Sequence, residues 1–224
     1  MGSKGDLRPM ASMSVPTKAI LMYRAPIEGQ VKKRLARSIG DSAALALYRW
    51  MGTRQLKAIP RDWMVETRFT PDCERIRTEE WLGSRPRYVA QGAGDLGERM
   101  RRAAKTSFES GDSQKVIFLG ADCLALDEMI LAKADSVLNE KDFVVGPALD
   151  GGYYLLGMRR GDLNVFDGVN WGSSTVFAET VGRIQSRGAS IKLLETLADV
   201  DDWDSLQQEK ARIDPDVLRE SGLD

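Results

Sequence analysis

Three acidic segments have the residue types and the setting of a site for a metal ion and a phosphate. Asp122 ends a strand-like run that begins at Lys115, Asp150 is followed by two glycines, and Asp199 and Asp201 form an i, i+2 pair. A carboxylate just past the C-terminal end of a strand in an α/β fold lies where ligands bind. Because hard divalent cations prefer oxygen ligands, these segments predict Mg²⁺ or Mn²⁺ beside a phosphate-bearing substrate.

The metal prediction depends on all three segments together. If residues 199–201 are extended, Asp199 and Asp201 lie on the same side of the chain and can complete a metal site opened by Asp122. Alone, Asp122 is equally typical of an N-cap or a surface loop. Its neighbour Cys123 has no adjacent base, so we expect a packed residue rather than a nucleophile.

Composition narrows the chemistry further. The chain has 224 residues, 42% of them hydrophobic, with a net charge of −1 and no histidine. We therefore expect one domain, at residues 15–224, without bulk binding to nucleic acid or membranes. A Ser-His-Asp triad and a His-ligated zinc are excluded within this sequence.

The two cysteines, Cys73 and Cys123, provide neither a disulfide framework nor zinc-ligand spacing, so we expect a reduced cytoplasmic protein. No apolar run reaches the ~18 residues of a membrane span. Residues 1–14 are polar and lack the apolar core of a signal peptide, which predicts a disordered leader or a cloning scar. Met13 is an alternative start.

The first βα turn, from Arg24 to Arg34, is strongly basic. Gly29 lets the backbone bend, and the start of the following helix, expected from about Val31, offers free N–H groups to an anion. Lys32, Lys33 and Arg34 place three cations within one turn, which suits a diphosphate. A solvated, basic helix start is the alternative, with about even weight. The turn is neither a Walker A loop nor a Gly-x-Gly-x-x-Gly motif.

The segment after Gly146 predicts either a simple hairpin or a substrate contact. As a contact, Gly151 and Gly152 would let backbone N–H groups approach a ligand, and Asp150 would touch the substrate or act as a base. Tyr153 would stack on a base or sugar, although a packed tyrosine is the stronger expectation.

A second polar segment follows Trp171. Ser173, Ser174 and Thr175 precede a predicted helix, where an N-cap is the simpler interpretation. The same hydroxyl and N–H groups are also suited to holding a phosphate or carboxylate of the substrate.

Alternating strand and helix patterns predict a doubly wound, mostly parallel sheet with helices on both faces. The clearest helix begins at Asp95, which forms a capping-box pattern with Glu98. We expect Thr70 and Pro71 to begin another helix, and the tail from Asp214 to fray. Strands are predicted at 18–24, 63–69, 87–91, 116–119, 143–146, 153–158 and 191–194.

Six motifs follow one another along the chain: Pro26-x-x-Gly29-x-Val-Lys32-x-Arg34, Gln91-Gly-x-Gly94-Asp95-Leu-Gly97-Glu98-Arg99, Gly120-Ala-Asp122-Cys123, Gly146-Pro-Ala-x-Asp150-Gly-Gly-Tyr-Tyr, Trp171-Gly-x-Ser174-Thr-Val and Asp199-Val-Asp201. Together they resemble the DUF2064 family, whose members are described as GT-A-like glycosyltransferases. Three residues depart from the family pattern: Arg24 stands where lysine is common, Lys33 where threonine is usual, and Leu124 where proline is usual.

The resemblance implies a Rossmann-like GT-A fold of the nucleotide-diphospho-sugar transferase superfamily, with the nucleotide at the first βα loop. It implies that the loop holding Gly94, Asp95 and Gly97 lies near the base. Asp122 resembles the metal-binding aspartate of that superfamily, and the pair at 199 and 201 resembles its second acidic site.

Two reactions fit this plan. A glycosyltransferase would move a sugar from a nucleoside diphosphate to a small acceptor, with Asp150 as base. A nucleotidylyltransferase would instead join a nucleoside triphosphate, held by Lys32 and Arg34, to a phosphate. We favour the first at about two to one on the family resemblance. A nucleotide-binding protein without turnover is a third hypothesis.

Overall fold

The computed structural model describes residues 16–159 and 163–223, so the predicted leader lies outside the described residues. The strands are β1 (Lys18–Arg24), β2 (Met64–Thr70), β3 (Arg87–Ala90), β4 (Lys115–Leu119), β5 (Phe143–Pro147), β6 (Tyr153–Arg159) and β7 (Ile191–Leu193). The α-helices are α1 (Lys33–Ile39), α2 (Asp41–Ala58), α3 (Arg75–Leu82), α4 (Leu96–Glu109), α5 (Glu128–Val137), α6 (Val176–Ser186), α7 (Trp203–Glu209) and α8 (Pro215–Glu220). Two 3-10 helices span Leu163–Phe166 and Lys210–Arg212.

All seven strands belong to one sheet, in the order β3-β2-β1-β4-β6-β5-β7. β1 is parallel to β2 and β4, β2 is parallel to β3, and β5 is parallel to β7. β6 is antiparallel to both of its neighbours, β4 and β5. The predicted mostly parallel α/β sheet is therefore confirmed, and the carboxyl ends of the other six strands meet at one edge.

Alternate residues of the central strands fill two cores. Leu21 of β1 faces the core that includes Trp81 and helices α2, α3 and α5. Its neighbour Ile20 faces the opposite core, with Phe118 and the buried side of α4. Burial of successive strand residues on opposite faces is the period of two expected for a sheet covered on both sides.

A third apolar cluster lies beside the carboxyl edge of the sheet. Its buried members come from α1, α2, α7, α8 and the loops between elements: Leu35, Leu47, Met51, Leu124, Val200, Leu206, Ile213 and Leu218. The tail was expected to fray, yet residues 215–220 form α8 and Leu218 is buried. Val200 in this cluster anchors the loop that carries the last acidic pair.

Two predicted helix starts differ from the structure. Thr70 ends β2, and its carbonyl accepts a hydrogen bond from Ala25 N at 2.8 Å, so it cannot cap a helix; α3 begins at Arg75. The first helix was expected from about Val31, but Lys32 has φ 46° and the helix begins at Lys33. In the part of the chain that the structure describes, no helix is long and apolar enough to cross a membrane.

Candidate functional site

A cavity of about 350 Å³ opens at the carboxyl edge of the sheet. The loops after β4 and β5, the start of β6, the segment before α6 and the loop after β7 all contribute to it. Its lining residues are Arg34, Leu96, Gly120, Asp122, Cys123, Ala148, Asp150, Gly152, Tyr153, Tyr154, Trp171, Gly172, Ser173, Ser174, Val176 and Asp199. Three of these side chains are carboxylates and one is a guanidinium, so the lining is net negative.

The structure brings Asp122 and Asp201 together through Lys32. Lys32 Nζ lies 2.8 Å from Asp122 Oδ2 and 3.6 Å from Asp201 Oδ1. It also donates a hydrogen bond to Val200 O at 2.6 Å. Arg34 Nη1 contacts the other oxygen of Asp201 at 3.0 Å. Two of the predicted metal ligands are thus ion-paired with side chains predicted to hold phosphate.

Asp199 faces the cavity with different neighbours. Its pKa is raised to about 6, first because of burial and then because of the negative charge of Asp150; Asp122 adds to the rise and Lys32 opposes it. Desolvation and like charges both disfavour the ionised carboxylate. The cavity therefore holds negative charge that its own cations do not fully balance.

The predicted metal ligands are not already gathered around one point. Among residues 16–159 and 163–223, no group of three His, Cys, Asp or Glu side chains has an arrangement that could hold a metal ion. The donor chemistry nevertheless fits a hard divalent cation, because Asp122 and Asp201 already surround the Lys32 ammonium and Asp122 and Asp199 line the same cavity. Burial raises the pKa of the Cys123 thiol to about 12, so the thiolate that would bind a metal is not formed near neutral pH.

The predicted hairpin at Asp150 is present between β5 and β6. Asp150 Oδ1 accepts a hydrogen bond from Gly152 N at 2.7 Å, which fixes the exposed carboxylate at the cavity. Gly151 has φ 90°, and a Cβ there would lie 2.0 Å from Ser174 O. Only glycine therefore lets this turn pack against the segment before α6. Tyr153 lines the cavity, with its hydroxyl 3.8 Å from Met100 Sδ.

The hydroxyls before α6 mostly hold their own loop. Ser173 Oγ donates to Asn170 O at 2.8 Å and lies 2.7 Å from Thr175 Oγ1. Thr175 Oγ1 in turn donates to Glu179 Oε1 at 2.6 Å. Ser173 and Ser174 line the cavity, whereas Thr175 does not. Thr175 is the N-cap residue of α6 but makes no side-chain capping hydrogen bond, so the expected hydroxyl cap is not formed; the substrate contact stays a prediction.

Of the predicted phosphate contacts in the first βα turn, Arg34 lines the cavity, whereas Arg24 and Gly29 do not. The Arg24 side chain is exposed, while its backbone N and O both bond to the Tyr48 hydroxyl, at 3.1 and 2.8 Å. Gly29 has φ 72°. Arg34 reaches the cavity. Helix α1 has only seven residues, so side chains rather than a helix end supply most of the positive charge here.

The loop from Gly94 to Gly97 is fixed by local contacts. Asp95 and Glu98 form the predicted capping box, with bonds of 2.9 and 3.0 Å. A Cβ on Gly94 would lie 2.2 Å from Glu98 Oε2, and one on Gly97 would lie 2.3 Å from Trp171 Nε1. The Asp95 carboxylate is thus engaged at the helix start, and its predicted contact with a nucleotide remains a prediction.

Sequence reasoning assigned no role to Leu96, Tyr154 or Trp171, which all line the cavity. Trp171 lies in a recognised motif and packs against Phe166, with ring centroids 6.5 Å apart. Leu96, the first residue of α4, is 41% exposed. An exposed leucine beside a tryptophan gives this wall of the cavity an apolar character that spacing alone did not reveal.

Solved structures share this fold. A candidate nucleotide-diphospho-sugar transferase from Desulfovibrio desulfuricans G20 is 30% identical, over 94% of this chain and 96% of that one, with a TM-score of 0.85. The inositol-1-phosphate CTP transferase of T. maritima is 12% identical, covering 94% and 96%, with a TM-score of 0.55. A 4-diphosphocytidyl-2C-methyl-D-erythritol synthase is 10% identical, covering 91% and 100%, with a TM-score of 0.58. The fold is therefore the one shared by nucleotide-diphospho-sugar transferases and nucleotidyltransferases.

Family comparison agrees with the motifs. No curated protein matches the chain. Residues 56–173 match DUF2064, which is described as an uncharacterized protein conserved in bacteria. This match spans more than half of the chain, and the Desulfovibrio relative extends the similarity over nearly all of it. The chain belongs to the DUF2064 family.

Proposed function

We propose that this protein is a metal-dependent glycosyltransferase that moves a sugar from a nucleoside diphosphate to a small, neutral, hydroxyl-bearing acceptor. The proposal rests on the residues that line the cavity. They include three carboxylates, only one guanidinium and several aromatic side chains. Carboxylates accept hydrogen bonds from sugar hydroxyls, and aromatic rings cover the apolar face of a sugar.

The same lining argues against transfer of a nucleotidyl group to a phosphate. The proposed metal would offset the charge of Asp122 and Asp199 for the donor diphosphate, but Asp150 is not one of the proposed metal ligands. A phosphorylated acceptor beside Asp150 would therefore be repelled by its carboxylate. The distant cytidylyl-transferring structures share only the fold, so they do not favour that reaction here.

Asp150 is the proposed general base. Its carboxylate is exposed to the cavity and is oriented by the Gly152 N–H. In an inverting reaction, the acceptor oxygen bonds to the anomeric carbon and loses its proton to Asp150, while the sugar–phosphate C–O bond breaks and its electron pair leaves on the diphosphate. The basic side chains Arg24, Lys32 and Arg34 are proposed to hold that diphosphate.

Asp122, Asp199 and Asp201 are the residues proposed to hold Mg²⁺ or Mn²⁺. When bound, this ion would supply positive charge for the departing diphosphate. The remaining predicted contacts are proposals of the same kind: Gly29, Gly94, Asp95 and Gly97 beside the nucleotide, and Gly151, Gly152, Tyr153, Ser173, Ser174 and Thr175 beside the substrate.

A thermal-shift panel of sugar nucleotides, nucleoside diphosphates and triphosphates, each with and without Mn²⁺, tests the proposal. We expect a metal-dependent rise in Tm with at least one sugar nucleotide, followed by release of the nucleoside diphosphate when an acceptor is added. Release of pyrophosphate from a triphosphate would instead support nucleotidyl transfer. No shift with any nucleotide would contradict both reactions.

Asp150→Asn tests the proposed base directly. We expect a loss of about 10²- to 10⁴-fold in the transfer rate with little change in donor affinity, because only the proton acceptor is removed. Asp112→Asn removes the same charge from an exposed loop before β4, at the other edge of the sheet, and should have the activity of the unaltered protein. Equal rates in the two variants would remove Asp150 from the reaction.

A further inference from the structure

Lys32 occupies a position unusual for a lysine. Among the described residues it is the only non-glycine residue with positive φ, at 46°, and it immediately precedes α1 without a side-chain capping bond. Its side chain is only 4% exposed, although lysines are rarely buried without partners. The left-handed backbone directs this side chain inward, between two acidic loops, instead of into solvent.

The Lys32 ammonium joins three segments that are distant in sequence. Its contacts are the Asp122 carboxylate at 2.8 Å, the Val200 carbonyl at 2.6 Å and the Asp201 carboxylate at 3.6 Å. The loops that carry these acids are also bonded directly, by Val200 N to Asp122 O at 3.0 Å. Lys32 thus donates a hydrogen bond to Val200 O and forms ion pairs with two carboxylates, of which Asp122 is the closer and Asp201 lies beyond hydrogen-bond distance.

A divalent cation held by Asp122 and Asp201 would need the place that this ammonium fills. The three oxygens around Lys32 Nζ are two carboxylates and a backbone carbonyl, all of them hard oxygen ligands of the kind Mg²⁺ and Mn²⁺ prefer. Two cations cannot share these oxygens at such distances without strong repulsion. Lysine has a flexible four-carbon stem, so its ammonium can move to a nearby anion when it is displaced.

We propose that Lys32 is the resident cation of this site in the free protein and competes with divalent metal for Asp122 and Asp201. This inference rests on the proposed function for its second half: when metal arrives with a nucleotide, the diphosphate accepts the displaced Lys32 ammonium. Free metal lacks that compensation, because its binding would leave the Lys32 charge without a partner. Metal and nucleotide therefore bind together more tightly than either binds alone.

Binding of Mn²⁺ without nucleotide, followed by electron paramagnetic resonance, tests the competition. The variants are Lys32→Met and Lys33→Met; Lys33 is the adjacent, exposed lysine, so both changes remove one positive charge from the same turn. We expect Lys32→Met to bind free Mn²⁺ at least tenfold more tightly than the unaltered protein, and Lys33→Met to bind it within about twofold. Equal affinity in the unaltered protein and Lys32→Met would overturn the proposal.

Two further measurements keep the test decisive. If circular dichroism shows that Lys32→Met does not fold, Lys32→Gln replaces it, since glutamine keeps a donor for Val200 O and removes the charge; the same tenfold gain is expected. Lys32→Arg retains a cation, so its affinity for free Mn²⁺ should stay as low as that of the unaltered protein. A tenfold gain in the arginine variant would also overturn the competition.

The outcome is distinguishable from that of the proposed function. Tighter Mn²⁺ binding by Lys32→Met, together with no binding of UDP, GDP, CDP or ADP, would support the competition and contradict the glycosyltransferase. If a sugar nucleotide binds but the unaltered protein and Lys32→Met have identical Mn²⁺ affinities, the glycosyltransferase would be supported and the competition contradicted. If both are correct, one of these diphosphates should raise the Mn²⁺ affinity of the unaltered protein tenfold or more, and that of Lys32→Met by less.

Discussion

Asp199 and Asp201 are separated by one residue, yet their carboxylates have different partners. Asp199 lines the cavity and has a raised pKa, whereas Asp201 is paired with Lys32 and Arg34. The acidic residue types and their loop positions were readable from the sequence. Their partners were not, because the pairing of Lys32 with residues 168 or more positions away along the chain depends on tertiary packing.

The close contact between Gly97 and Trp171 in the cavity wall can be tested by adding one methyl group at Gly97. In Gly97→Ala the added Cβ would lie 2.3 Å from Trp171 Nε1 and 2.8 Å from Phe166 O, so the ring or helix α4 must shift. We expect a loss of about 1–3 kcal/mol in the free energy of unfolding, the usual cost of overpacking. Urea denaturation followed by tryptophan fluorescence measures it.

Gly182→Ala is the matched control for that change. Gly182 is an exposed residue inside α6, and nothing lies within 4 Å of a Cβ placed there. Alanine should stabilise this helix by about 0.5–1 kcal/mol, because it restricts the unfolded chain more than glycine does. Two alanine variants with equal stabilities would show that Trp171 does not pack on Gly97 as described.

Local signals predicted some elements well and others poorly. The capping box of Asp95 and Glu98 is complete within four residues, so the start of α4 was readable from the sequence. Thr70 and Pro71 carry an equally plausible start signal, but the Thr70 carbonyl is bonded to Ala25 of the neighbouring strand connection. Cap motifs are local sequence patterns. Here the Thr70 carbonyl accepts a hydrogen bond from Ala25 N instead of the first hydrogen bond of a helix, so the tertiary contact overrides the local pattern.

Asp142 connects the starts of β5 and β7 with the end of β6. Asp142 accepts hydrogen bonds from Ser190 N and Ser190 Oγ, at 2.9 and 2.7 Å, and is ion-paired with Arg159 at 2.7 Å. These bonds from Ser190, followed by those from Arg159, lower its pKa to about 2. They stabilise the ionised carboxylate just before β5 and connect it to the residue preceding β7.

The sign of the pH dependence follows from that lowered pKa. The ionised Asp142 stabilises the fold above its unfolded pKa of roughly 3.9, and this contribution is lost as the pH falls from about 4 toward 2. Asp142→Asn should therefore be less stable near pH 6 but lose less stability on acidification. Urea midpoints between pH 6 and pH 2.5 measure the difference, and parallel curves for the two proteins would contradict it.

For the whole molecule, the sequence predicted a mostly parallel α/β sheet but not the direction of every strand. Apolar runs and βα alternation indicated a covered, mostly parallel sheet, but a run such as 153–158 carries no information on strand direction. The reversed strand β6 became apparent only from its pairing with β4 and β5. The tail was likewise misjudged, because it has few apolar residues, and Val217, Leu218 and Leu223 are covered only by packing against the third cluster.

Leu218→Ala tests whether α8 contributes to the stability of the whole domain. Leu218 is 8% exposed and belongs to the cluster that also holds Val200. We expect a loss of about 2–3 kcal/mol in the free energy of unfolding, at the lower end for buried leucine because the site is near the surface. Glu220→Ala, at an exposed position of the same helix, should change it by less than about 0.5 kcal/mol. A null effect of Leu218→Ala would restore the expectation of a fraying tail.

The reversed direction of β6 has a consequence for how the turn around Asp150 can vary in sequence. A parallel strand next to β5 would require a long crossover connection, whereas the antiparallel β6 follows β5 after a short turn. Asp150 lies in this turn, so β5 and β6 hold it at the carboxyl edge of the sheet from both sides. Within this turn, Gly151 is fixed by the close approach of Ser174 O and Ala148 by its bridge to Leu197, whereas the side chains of Leu149 and Asp150 are exposed. Under the proposed function, substitutions at the exposed tip residues Leu149 and Asp150 would change the acceptor side of the cavity, while the half of the rim beside β1 to β3 keeps its shape.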